Sequence, residues 1–296
     1  MLGHLISFRS DIEPRVVFWN PISPPEPRQR LTEDAASVAG GLPQAEKSGW
    51  QKDELCELGL LGKRLGMKFS DSVLCTGYQT LDTGNPKLKT YSRCPHRLKG
   101  RKQCNHCRHR DISKVYTRLD FEGYEEMRED YTHQEFSVYL AAFGNEIIKC
   151  GVTRSGRVEV RTHEQGADYW AELMRFENAE EAYDAEIELQ NRFSLGNFVR
   201  NDTKLGLLGK PKSPEALENK IKEIKSSDIF EKRGSDFCGS AIRENHYPVP
   251  DKFDIAYSVD GLVTGSKSQL LFYEKDGNHF VVPMYRMIGR VFLLKE

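Results

Sequence analysis

Four cysteines, Cys75, Cys94, Cys104 and Cys107, fall in a stretch with too few aliphatic residues for a core of its own. A segment of that kind needs a metal ion to hold it. Cys104-Asn105-His106-Cys107 is a C-x2-C knuckle, which presents two sulfurs from one loop. Cys94 precedes it by ten positions and Cys75 stands nineteen before that, a looser pair than a second knuckle. Four thiolates suit a structural zinc ion with no open position for catalysis, and His96 is the substitute ligand. The alternatives are buried thiols with His96, His106 and His109 on the surface, or a redox pair of Cys104 and Cys107. Cys56, Cys150 and Cys238 stand alone and read as buried or half-buried thiols. An odd total of seven, with no secretory leader, argues against a disulfide scaffold.

Charge points to a partner. The 296 residues balance 43 Lys and Arg against 44 Asp and Glu, a formal charge of −1. From Lys87 to Arg118, however, eleven bases face Asp111 alone, a local +10. Such a ribbon is the footprint of a polyanion, DNA or RNA, with Tyr91 and Tyr116 available for stacking. Its contact candidates are Arg93, Arg97, Lys99, Arg101, Lys102, Arg108 and Arg110, with Lys87, Lys114 and Arg118 at its ends. The alternative is a solvated basic face offset by Asp120, Glu122, Glu125, Glu126, Glu129 and Asp130, which sum to −5 once Arg128 is counted. No apolar run approaches the ~18–20 residues of a membrane span, so a cytoplasmic protein without a membrane partner is expected.

The chain divides into four parts. Residues 1–70 hold a hairpin, Leu2–Phe8 with Val16–Trp19, interrupted by a Pro-, Gly-, Ser- and Glu-rich insertion over about 21–52 that is expected to be mobile. Residues 71–118 carry the cysteines. Residues 134–200 read β-β-α-β-α: strands Phe136–Phe143 and Ile147–Val152, a helix Arg157–Gln165, a strand Tyr169–Phe176 and a helix Asn178–Phe193. Residues 213–296 open with a helix from Ser213-Pro214-Glu215 to about Lys225. Strands Ala256–Val259, Gln269–Tyr273, His279–Val282 and Arg290–Leu294 follow, as a small barrel or curled sheet.

Helix 178–193 carries one residue that can be judged on its own. On a helical wheel Ala179, Ala182, Tyr183, Ile187, Leu189 and Phe193 share an apolar arc, and Glu186 lies inside it. Glu177, Glu180, Glu181, Asp184 and Glu188 take the wet face. An inward carboxylate must be paired or metal-bound: either it holds a divalent ion, or it forms a salt bridge to Arg161 or another base without catalysis.

Ser137-Val138-Tyr139, Lys149-Cys150-Gly151, Arg161 and Glu186 together resemble the GIY-YIG nuclease constellation. The resemblance implies Tyr139 as general base or its assistant, Arg161 on the scissile phosphate, and Glu186 on one Mg²⁺ or Mn²⁺ ion. Lys149 stands where a tyrosine leads the second motif, as in relatives that read K-x-G, and can contact phosphate. Ser137 and Val138 replace the usual Gly and Ile. Tyr139, with an ordinary pKa near ~10, needs a nearby cation to act as a base near neutrality. Arg154 and Arg157 add positive charge at the strand end.

More of the chain resembles an uncharacterised bacterial and archaeal domain-of-unknown-function family, through Leu74-Cys75-Thr-Gly-Tyr78, Arg93-Cys94-Pro95, Gln103-Cys104, Val138-Tyr-Leu-Ala141, Lys149-Cys-Gly-Val-Thr153, Arg161-Thr-His-Glu-Gln-Gly-Ala167 and the glycine-rich 261–270. That likeness spans about 55–296 and implies an architecture without a settled activity. His163 and Glu164 either line the site or end the short helix, with Gly166 as its stop. The expected fold is α+β: a GIY-YIG-like module flanked by a small zinc-binding β-ribbon region and a C-terminal β-barrel or sheet. The expected function is a zinc-containing nucleic-acid-binding protein, read as a metal-dependent endonuclease. The alternatives are a non-catalytic RNA- or DNA-binding or ribonucleoprotein-associated module that grips phosphate, and a protein-interaction scaffold.

Overall fold

A computed structural model describes residues 2–10, 13–19, 55–81, 89–113, 115, 122, 128, 131, 133–233, 237–238 and 241–295. The insertion expected over 21–52 lies outside them, as do Lys87, Lys114, Arg118, Tyr116 and, of the acidic run, all but Glu122. The architecture is mixed α+β and rich in sheet. Among the described residues no helix is long and apolar enough to cross a membrane.

The small sheet has four strands in the order β11-β10-β8-β9: β8 is Phe136–Phe143, β9 Ile147–Arg154, β10 Tyr169–Phe176 and β11 Arg243–Glu244. β8 lies between β9 and β10, and all eight of its residues are buried. That is why this strand reads as a continuous apolar run. Its side chains still alternate. Phe136, Val138, Leu140 and Ala142 pack with α3 (Ala179–Phe193) and α5 (Glu215–Lys225). Tyr139, Ala141 and Phe143 turn the other way, toward α2 (Val158–Gln165) and Val199 and Leu207.

Ala179, Ala182 and Ala185 recur every third residue on α3, and these small side chains bring the helix close to the sheet. The wheel placed Ile187 inward, but it is 53 % exposed. Glu188, expected in water, is largely covered by Lys232 at 2.9 Å and Arg233. Lys232 and Arg233 belong to α6 (Ile229–Arg233), whose ion pairs cover Glu188 from outside α3, which a wheel cannot anticipate.

The second sheet has ten strands. The hairpin β1 (Leu2–Arg9) and β2 (Arg15–Trp19) forms as expected, with His4 opposite Trp19. β3 (Leu55–Gly59) adds to β2, and β4 (Arg64–Leu74) pairs with β13 (Val259–Lys267) and β16 (Arg290–Lys295). β14 (Leu270–Lys275), β15 (Asn278–Pro283) and β12 (Asp254–Ile255) complete one flank. Residues 1–70 and 213–296, divided at the sequence level, thus share one large sheet and one core, built from Leu5, Phe18, Met67, Val263, Leu271 and Phe292 among others. The C-terminal strands are neither small nor separate, because β16 inserts between β1 and β4. The strand expected at Ala256–Val259 begins instead at Val259 and runs through the glycine-rich segment to Lys267.

α4 (Asn201–Leu207) joins the two sheets. Leu207 packs on the Tyr139 face, whereas Leu205 and Leu208 pack on Leu270, Phe272 and Val281 of the large sheet. Asp202 accepts from Arg286 and Tyr285, which fixes the helix on that side. A second tie is buried: Lys267 donates to Asp168 at 2.6 Å, and the other Asp168 oxygen accepts from the Gly144 N–H at 2.9 Å. Removing one partner of such a pair leaves a buried charge uncompensated. Lys267→Met is expected to destabilise the fold by about 3 kcal/mol, with much of that recovered in Lys267→Met/Asp168→Asn. Urea unfolding of the wild type and three variants measures it; strictly additive losses would rule out the coupling.

Candidate metal centre and cationic hollow

The metal centre begins with β4, which delivers Cys75 at its end. β7 (Arg97–Leu98) pairs with β4, and the Cys75 N–H donates to the His96 carbonyl at 2.8 Å, so the loop bearing Cys94 is pinned beside Cys75. This contact explains how two cysteines nineteen positions apart act as a pair. The knuckle opens α1 (Asn105–Arg110), and Gln103 ties it down by donating to the Gly77 carbonyl and to Asp111.

All four sulfurs lie within 4.8 Å of one another, with Cys94 Sγ 3.9 Å from Cys104 Sγ. A tetrahedral zinc–thiolate centre, with bonds near 2.3 Å, puts its sulfurs about 3.8 Å apart. The cluster can therefore hold a metal such as zinc. The Cys104 N–H donates to Cys75 Sγ and the Cys107 N–H to Cys104 Sγ, contacts that favour thiolates. Burial works to raise the Cys104 thiol, but the Cys107 N–H and neighbouring side chains outweigh it and bring it down to about 6. Burial pushes Cys94 up to about 11. His96 was the expected substitute ligand. Instead its Nδ1 lies 3.2 Å from Cys94 Sγ, beside a ligand rather than in place of one. Cys150 is buried and Cys56 and Cys238 are half-buried, as expected of lone thiols.

Around the cysteines Arg97, Lys99, Arg101, Lys102, Arg108 and Arg110 are exposed, whereas Arg93 is half-buried and close enough to His4 to act on it. Arg101 donates to Asn105 across one helical turn. Tyr91, expected to be available for stacking, is half-buried and packs against Ile6, Val17 and Trp19.

The second centre lies on the Tyr139 face of the small sheet. In the β8–β9 register Tyr139 is opposite Gly151 and Ala141 opposite Lys149, so both lysine and glycine share the tyrosine's face. A Cβ on Gly151 would lie 2.6 Å from the phenol oxygen; glycine is what lets the ring lie across β9. Lys149 Nζ is 6.0 Å from the ring centroid. Gln165, one turn after Arg161 on α2, donates to the phenol oxygen at 2.9 Å, while its own Oε1 is buried without a partner among the described residues. Sequence reasoning missed Gln165, although the i, i+4 spacing from Arg161 puts both on one helix face.

Tyr139 is shifted upward, away from neutrality. Burial pushes it up to about 12 against the opposing pull of Arg161 and Gln165, so the phenol keeps its proton. Burial and the nearby Arg161 bring Lys149 down to about 8. Glu186, half-buried on α3, is raised by burial, with Lys149 opposing. The expected alternative for Glu186, a salt bridge to Arg161, is not formed: Arg161 pairs with Glu164 at 3.0 Å, and Arg157 reaches the same carboxylate at 3.4 Å. Among the described residues no base lies within ion-pair distance of Glu186. Arg154 lies over the Tyr131 ring.

Gly166 ends α2 in the left-handed conformation, as expected, and a Cβ there would lie 2.8 Å from Ser268 Cβ on the large sheet. His163 faces Ser10 and the Tyr247 ring instead of the hollow, so of the two residues that either line the site or end the helix, only Glu164 touches the site arginines. Ser137, which replaces a glycine of the resembled motif, donates to buried Glu172 at 2.6 Å.

Lys204 completes the arrangement. It comes from α4, outside the β-β-α-β-α segment, and lies near enough to Lys149, Arg161 and Lys267 for their charges to act on it. No sequence signal marked it.

Residues 62–289 match the family described as a protein of unknown function, DUF2797. The chain belongs to the DUF2797 family. No curated protein and no solved structure matches it. The matched span takes in the cysteine cluster, the small sheet, α4 and β13 to β15, so both centres belong to the DUF2797 region.

Proposed function

We propose that this DUF2797 protein is a zinc-containing nucleic-acid-binding protein whose small sheet carries a GIY-YIG-like, divalent-metal-dependent endonuclease site. One observation carries the reading: Tyr139, Lys149, Arg161 and Glu186, drawn from β8, β9, α2 and α3, lie near enough that both Arg161 and Glu186 act on Tyr139 and on Lys149. The exposed basic residues of the zinc knob supply the polyanion-binding face.

Glu186 fits a hard cation, because it is a half-buried carboxylate with no ion pair among the described residues, and phosphate oxygens and water complete such a shell. When bound, a Mg²⁺ or Mn²⁺ ion supplies an acidified water and a counter-charge for the phosphoryl oxygens. Arg161, about half exposed at the mouth, meets the equatorial oxygens with its guanidinium. Lys149 adds a point charge from β9, and the protonated Tyr139 hydroxyl, fixed by Gln165, donates to an incoming oxygen. The zinc ion holds the knob in shape and takes no chemical part.

Labelled DNA and RNA incubated with Mg²⁺ or Mn²⁺ test the reading; products that disappear with chelator are expected. A second reading, a non-catalytic grip on phosphate, is favoured by Lys149 in the tyrosine position. It predicts salt-sensitive binding without products.

The grip should also depend on pH. Lys149 carries its charge below about 8 and loses it above, with Arg161, Glu186, Cys150, Tyr139 and Lys204 as its charged or titratable neighbours. Oligonucleotide affinity at fixed ionic strength is therefore expected to fall about tenfold as pH rises through that value, and to fall less steeply in Lys149→Arg, the remaining loss coming from Lys204, which burial also brings down to about 8. Affinity that rises with pH would contradict it.

A further inference from the structure

Lys204 is an amine that the fold holds against its own electrostatics. Its charged neighbours are Lys149, Arg161 and Lys267. Lys267 is neutralised by Asp168, and Arg161 shares Glu164 with Arg157. For Lys204 no carboxylate lies within ion-pair distance among the described residues, and its Nζ sits 5.6 Å from the centre of the Phe143 ring. Burial and the three like charges pull it down to about 8, so the charged amine is disfavoured where it stands.

The position is nonetheless built. Leu205, Leu207 and Leu208 anchor α4 on both sheets, and Asp202 is clamped by Arg286 and Tyr285. Lys204 Nζ donates to Ser268 Oγ at 3.2 Å. Ser268 lies in the two-residue turn between β13 and β14 with φ of 54°, where glycine is the favoured residue. The turn keeps a serine there, and its hydroxyl directs the amine. One of three N–H donors is used and two remain.

Cations from different elements under partial burial, of which Lys149 and Lys204 form no ion pair among the described residues, are complementary to a polyvalent anion. We infer that Lys204 is a direct ligand for a phosphoryl group held beside Lys149 and Arg161, so that the large sheet, acting through Ser268, completes the site on the Tyr139 face of the small sheet. The inference deepens the reading above and rests on it for the source of the phosphoryl group, a polynucleotide; the cation arrangement itself calls only for a phosphoryl anion.

The test uses the full chain, with inorganic phosphate and a labelled oligonucleotide as separate probes. Thermal unfolding of the wild type is expected to shift upward with phosphate. Lys204→Met removes the repelled charge and keeps most of the volume, so its unfolding temperature without phosphate is expected to match or exceed the wild type while the phosphate response is lost. Lys204→Arg is expected to keep the response. In the oligonucleotide arm Lys204→Met should weaken binding about tenfold and flatten the salt slope by about one unit.

A Lys204→Met protein that is less stable and still responds fully to phosphate makes the residue structural and overturns the inference, as does a wild type that ignores phosphate. A wild type that responds to phosphate through Lys204 yet neither binds nor cuts oligonucleotide supports the inference and removes the polynucleotide reading.

Discussion

Cys107→Ser is expected to abolish zinc loading and to weaken oligonucleotide binding by about a hundredfold. Cys107 is 1 % exposed and is one of four sulfurs gathered within 4.8 Å. Structural zinc sites are worth about 10–16 kcal/mol of apparent binding free energy in small domains, and that energy is folding energy for the segment they close. Without it, Cys75 and Cys94 are buried thiols with no aliphatic core beside them, and the helix bearing Arg108 and Arg110 loses its anchor. The small sheet has its own core around Val138, Leu140 and Leu189, so its hydrogen-exchange protection should persist. His96→Ala is the contrast: it removes a neighbour of Cys94, and should lower metal affinity by about 10–100-fold while keeping the stoichiometry. Metal analysis decides. Full zinc content in Cys107→Ser, or none in His96→Ala, would exclude a four-thiolate centre.

Glu186→Gln is expected to lower cleavage by about a thousandfold and to leave oligonucleotide affinity equal or slightly tighter. The substitution keeps the shape of the side chain and removes a negative charge that would face the substrate's phosphate. Arg161→Ala is expected to lower both cleavage and affinity, because its guanidinium meets the phosphate before and during the reaction. The two variants therefore separate cation holding from phosphate binding. Equal cleavage by Glu186→Gln and wild type would falsify the catalytic role, and the phosphate-grip reading would then stand alone.

The local elements of the small sheet were legible because their patterns are strong. Phe136–Phe143 is an unbroken apolar run, Gly144-Asn145 turns it, and Asn178 caps the helix that follows by accepting the Glu181 N–H. The four cysteines were legible because the C-x2-C spacing has few other uses in a basic, core-poor segment. The role of Tyr139 was not. A resemblance supplied a phenol able to act as a base, but burial decides its pKa, and burial comes from Val158, Ala167 and Trp170 on other elements.

The surroundings of Glu186 stay open in the sequence, where a salt bridge to Arg161 is one of two alternatives; in the structure Arg161 pairs instead with Glu164, three residues on along the same helix. The division into 1–70 and 213–296 failed for a topological reason. Strand pairing between β1 and β16 joins residues almost three hundred positions apart, and no local pattern encodes it.

By itself the sequence determined the strand and helix periods of the small sheet, the C-x2-C knuckle and the basic ribbon around it, since each depends on neighbours a few residues apart. Only the tertiary structure decided that Glu186 forms no ion pair among the described residues, that burial raises Tyr139, and that Lys204 from α4 joins Lys149 and Arg161. Those properties depend on desolvation and on charges brought together across both sheets, and such proximity exists only once the chain has folded.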